Sequence, residues 1–93
     1  MARTVEDLGR FLEERGVAVD EDGLEEELAD LGWEIVYDQE TTGGHVIQVR
    51  FLRDKDRIVE GLSDPGHPDL GEHRTVALMR ALEEVLDLQE HGT

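Results

Sequence analysis

The chain has no cysteine, so neither a disulfide framework nor a thiolate metal site is open to it. Serine occurs once, at Ser63, outside any G-x-S-x-G elbow, which leaves acyl transfer without a candidate nucleophile. Lysine also occurs once, at Lys55, and the other eight bases are arginine. Proline is confined to Pro65 and Pro68, and the aromatic set is Phe11, Trp33, Tyr37 and Phe51. No apolar run approaches the roughly 18 residues of a membrane span, and the N-terminus has no signal-peptide core. A soluble, cytoplasmic protein is the expectation. There is no P-loop and no dinucleotide fingerprint; Gly43-Gly44 reads as a hairpin turn. The expectation is therefore a protein that is not an enzyme and holds no cofactor.

What the sequence has in excess is negative charge. Twenty-four acidic against nine basic residues give a net charge of −15 over 93 residues. Such a surface repels nucleic acid and anionic lipid and attracts cations and basic protein surfaces. The excess is uneven. Residues 1–32 hold eleven acids and three bases, residues 33–62 hold six and four, and residues 63–93 hold seven and two. The densest stretch is Asp20 to Asp30, where seven of eleven residues are acidic.

One domain of 93 residues is expected, with a modest core of Leu and Val. Thr4 and Asp7 form a capping box before a first helix that carries Val5, Leu8, Phe11 and Leu12 on one face. Gly16 stops that helix, and Val17-Ala18-Val19 connects it to a second, capped by Asp20 and ended by Gly32. Leu24, Leu28 and Leu31 are its apolar stripe. From Trp33 the period changes to two: Trp33, Ile35 and Tyr37 alternate with Glu34, Val36 and Asp38. Residues 45–52 read as a central strand, 53–56 as a charged turn, and 57–62 as a third strand. A loop over 63–68 leads to a last helix over 69–88, capped by Asp69 and Glu72, with 89–93 as a frayed tail. The expected fold is α+β, a two-layer sandwich of order α-α-β-β-β-α. Its sheet is a three-stranded antiparallel meander with helices on one face (helical part 4–32, sheet 33–62).

The chain carries two partial likenesses to known families. His67-Pro68-Asp69 matches the tripeptide of J-domain cochaperones, but it follows a strand in acidic surroundings, and Asp69 reads as a helix cap. The helix-first, strand–strand–strand–helix order resembles a double-stranded-RNA-binding domain in topology. That resemblance implies a basic start to the last helix, where this chain has Asp69-Leu70-Gly71-Glu72-His73-Arg74. Asp20-Glu21-Asp22-Gly23 is no calcium loop, because its glycine is fourth rather than sixth. His67, Asp69, Glu72 and His73 offer nitrogen and oxygen atoms, but their spacing is not a metal pattern.

The functional expectation rests on rows of carboxylates. Side chains three and four apart on a helix are about 5–6 Å apart. Asp22, Glu26 and Asp30 make one row, and Asp20 or Glu21 with Glu25 makes another. Glu13 and Glu14 extend the field, as do Glu83, Glu84, Asp87 and Glu90 on the last helix. Presented together, they would suit the basic nucleic-acid-binding groove of a partner protein, with no direct contact to nucleic acid or membrane. The alternative is a halophile's small structural or regulatory module whose acids serve solubility in concentrated salt. Arg50, Gln48 and Glu60 are expected to share a sheet face, with Trp33 or Tyr37 near its rim. An open sheet face or an unpaired edge strand suits homodimerisation.

Overall fold

Two helices, three antiparallel strands and a closing helix follow one another in chain order: α1 (Val5–Glu14), α2 (Glu21–Asp30), β1 (Trp33–Thr41), β2 (Gly44–Phe51), β3 (Asp54–Leu62) and α3 (His73–His91). The structure, a computed structural model, describes residues 4–63 and 73–91. The loop prolines and the Asp69–Glu72 cap lie outside the described residues. The strands form one meander in the order β1-β2-β3, and the α+β order is the one the periodicity predicts.

The caps explain where the first two helices begin. The Thr4 hydroxyl accepts from the Asp7 N–H at 3.2 Å, and the Asp20 carboxylate accepts from the Gly23 N–H at 2.7 Å. Gly16 and Gly32, with φ of 81° and 89°, take the left-handed turn that ends each helix. Leu8 and Leu12 of α1 and Leu24 and Leu28 of α2 are fully buried, and they meet Ile47, Val49, Leu78, Leu82 and Val85 in one core.

α3 lies across β2 and β3 and is itself covered by α1 and α2. Its buried residues therefore run almost all the way round: Val76, Ala77, Leu78, Met79, Ala81, Leu82, Val85 and Leu86. A narrow strip with Arg80, Glu83, Glu84 and Asp87 is left toward solvent. α3 approaches β3 closely at Gly61, where a Cβ would stand 2.1 Å from the Ala77 carbonyl oxygen and 2.5 Å from the Ala81 nitrogen.

Four local expectations need correction. The β2–β3 turn is Leu52-Arg53 rather than residues 53–56, and Asp54, Lys55 and Asp56 belong to β3. Phe51 pairs with Asp54 and Arg50 with Ile58, so residues 55–57 fall in a break of register. The tail expected at 89–93 is helical through His91, and Glu90 is ion-paired to Arg15, the residue that caps the end of α1, which anchors that end. The simple alternation of β1 fails after Ile35. A β-bulge lies between Ile35, opposite Val49, and Tyr37, opposite Gln48. The extra residue, Val36, shifts the phase of the strand. Tyr37 therefore faces solvent, and Asp38, opposite the buried Ile47, faces the helices. Trp33 is no rim residue: it is buried against Phe51, ring centroids 5.0 Å apart.

Candidate functional site: the acidic helix and the arginine cluster behind it

Five of the six acidic residues of α2 divide into two sets according to what lies opposite them; the sixth, Glu27, is half-buried. Glu21 and Glu25, one turn apart, face α3 and meet Arg74. Its Nη1 is 3.3 Å from a Glu21 oxygen, and its Nη2 donates to Glu25 at 3.2 Å. The same guanidinium donates from Nε to Asp38 of β1 at 2.9 Å, and its Nη2 is ion-paired with that carboxylate at 2.8 Å. Asp38 in turn lies 2.5 Å from Nε2 of His45, which is buried on β2. One cation thus ties together α2, α3 and β1. The Arg74 hydrogen bonds hold the Asp38 carboxyl below the usual carboxylate range, against the opposing effect of burial. Asp38 and Glu25 hold the Arg74 guanidinium more firmly protonated than usual.

This cluster is the part that sequence reasoning missed. Arg74 falls four and eight residues before Leu78 and Leu82, on the apolar stripe of α3. A cation on such a stripe requires buried counter-charges, and that was the available signal. Asp38 gave none, because its inward direction depends on the bulge.

The second set faces outward. Asp22, Glu26 and Asp30 are exposed at intervals of four residues, forming the predicted row along α2. Asp20 is exposed as well, though its carboxylate caps Gly23. Glu13 and Glu14 are exposed at the end of α1.

The α3 residues of the expected surface lie elsewhere. Glu84 and Leu88 border an open depression of about 490 Å³ opposite Asp54, Asp56, Arg57 and Ile58. They therefore sit over the β3 edge, whereas α2 packs beside β1 at the other edge. Glu83 and Asp87 are half-buried on the same helix. The expected continuous face from Asp20 to Asp87 is thus two acidic regions, on opposite flanks of the helical layer.

Ser63 and His45 also meet, but through the backbone. The Ser63 hydroxyl accepts from the His45 main-chain N–H at 2.7 Å, and the Ser63 N–H donates to the His45 carbonyl at 3.0 Å. These bonds join the start of β2 to the end of β3, while the imidazole turns to Asp38. Of the His67, Asp69, Glu72 and His73 group, only His73 is described. It opens α3 with Nδ1 buried and, among the described residues, without a hydrogen-bond partner. Among the described residues, no group of three or more His, Asp or Glu is placed to hold a metal, and no helix is long and apolar enough to cross a membrane. No protein-family model, curated protein or solved structure matches the chain.

Proposed function

We propose that the chain is a non-enzymatic acidic binding protein that occupies the basic, nucleic-acid-binding surface of a partner protein in the cytoplasm. It would act as a DNA-mimic inhibitor of the anti-restriction or anti-CRISPR kind. The supporting observation is the exposed row Asp22, Glu26 and Asp30. Like charges at four-residue spacing destabilise a helix by about 0.2–0.5 kcal/mol per pair. Arg74 relieves Glu21 and Glu25 of this repulsion from behind. The outer row is left for a cationic surface to neutralise. Nucleic acid and anionic membranes, carrying charge of the same sign, are excluded as direct partners.

Glu25 is half-spent on Arg74, so the test uses the outer row alone: Asp22→Lys, Glu26→Lys and Asp30→Lys together. Wild type is expected to retain a basic nucleic-acid-binding protein from host lysate at about 0.1 M KCl, and to release it as exposed ion pairs are screened. The captured protein should bind its nucleic acid less well when this chain is present. Retention by the folded triple variant, or undiminished nucleic-acid binding by the captured protein, rejects the reading. A second reading, surface acidity serving solubility in concentrated salt, is favoured by Glu84, Asp54 and Asp56 at the opposite edge of the sheet, since general adaptation spreads acids over every surface.

A further inference from the structure

We propose that the uncovered face of the sheet is a self-association surface, and that its occupant is a second copy of this chain related by a two-fold axis near Gln48. The register places nine outward residues on this face in three rows. These are Gln39, Val46 and Leu62; then Tyr37, Gln48 and Glu60; then Glu34, Arg50 and Ile58. Tyr37, Ile58 and Leu62 are 47%, 54% and 47% exposed, with Val36 of the bulge beside them at 41%. Among the described residues, no helix packs on this face. A two-sheet sandwich seals such a face with a second sheet about 10 Å away.

Charge selects the occupant. The face carries Glu34, Arg50 and Glu60 only, on a molecule of net charge −15. These groups are already paired within the sheet: Arg50 donates to Glu34 at 2.7 Å, and Gln48 donates to Glu60 at 2.9 Å. A basic partner therefore gains nothing here that α2 does not offer better. Two copies of so acidic a chain repel one another through any other side, because Asp22, Glu26 and Asp30 flank one edge and Glu84, Asp54 and Asp56 the other. Edge-to-edge pairing is disfavoured by the β1 bulge and by Asp54, Lys55, Asp56 and Arg57 on β3. Of the two routes to a homodimer, the open face remains.

Three strands at about 4.8 Å spacing, with rows two residues apart from Val46 to Arg50 at about 3.3 Å per residue, make a patch of roughly 15 by 13 Å between backbone positions. That is small for a specific interface, so the dimer is weak and reversible. Its salt dependence is diagnostic. Screening reduces the repulsion between two anions, so raising KCl strengthens this association, whereas it weakens docking of α2 on a basic partner. The inference thus stands or falls independently of the acidic-helix reading.

The test is sedimentation equilibrium of the full chain from about 10 µM to about 1 mM at several KCl concentrations. A monomer–dimer equilibrium is expected, with Kd falling at least about tenfold as KCl rises from about 0.05 to 0.5 M. Tyr37→Glu and Leu62→Glu, both at exposed positions, should each weaken the dimer at least about tenfold. Leu88→Glu, at an exposed position on the helical side (38%), should leave it unchanged. Because the chain has no cysteine, Gln48→Cys introduces a unique thiol. It should form an intermolecular disulfide under mild oxidation, and Glu26→Cys should not. A wild-type chain that stays monomeric throughout, a dimer indifferent to Tyr37→Glu and Leu62→Glu, or one that dissociates with salt overturns the proposal.

Discussion

Arg74 is the residue on which most of the charge organisation turns. Its guanidinium faces Glu21, Glu25 and Asp38 while only about a quarter of its side chain is exposed (24%). Arg74→Met keeps the volume and removes the charge, leaving three carboxylates crowded together. Breaking a buried pair costs about 3–5 kcal/mol; partial exposure here reduces that to about 2 kcal/mol. A fall in Tm of about 10 °C is expected by thermal denaturation. Asp38 supplies the pH dependence. Its carboxyl titrates below the usual carboxylate value in the folded chain, so its contribution is complete above about pH 4 and is lost as pH falls through the depressed folded value. Asp38→Asn should flatten the fall in stability below about pH 4 in urea titrations. An unchanged acid limb would mean that Asp38 adds nothing to it.

At the scale of elements, β1 and α3 decide what the sheet presents to either side. The bulge at Val36 turns Asp38 inward to Arg74 and Tyr37 outward to the open face. One inserted residue thus serves both surfaces. α3 in turn rests on β3 through Gly61, where no side chain fits beneath Ala77 and Ala81. Gly61→Ala brings a methyl group against helix backbone, which cannot move aside without lifting α3 from the sheet. A cost of about 2–3 kcal/mol is expected by urea denaturation, and Gly61→Val should cost more. The cap and stop residues of α1 and α2 were legible because they act within a few residues. The charged run 53–56 resembles a loop, yet the chain reverses over Leu52 and Arg53 and β3 already begins at Asp54.

The whole molecule is an anion whose helical side is strongly acidic and whose open sheet face is nearly neutral. Its self-repulsion should make stability rise with salt at low ionic strength, since the Debye length falls to about 10 Å at 0.1 M. If the acids serve a partner, thermal denaturation should find the chain well folded near 0.1 M KCl, with a gain of only a few degrees above that. A chain that folds only at molar KCl would favour the salt-adaptation reading. Salt thus separates three behaviours: fold stability and sheet-face association rise with it, and docking of α2 on a basic partner falls.

From the order of residues alone, the element types, their succession, the meander and the outward row on α2 could be read. Each depends on local chemistry: the capping of Thr4 and Asp20, the glycine stops, and periods of 3.6 and two. The sequence also shows which face of α2 is acidic, because helical spacing determines the rows. It cannot show what lies opposite a row. That Glu21 and Glu25 meet a counter-charge, and that Asp22, Glu26 and Asp30 meet none among the described residues, depends on Arg74, some fifty residues away and on another element. That Glu84 lies over β3, apart from α2, depends on how α3 crosses the sheet. These were tertiary decisions, made by packing between distant segments, which no local pattern encodes.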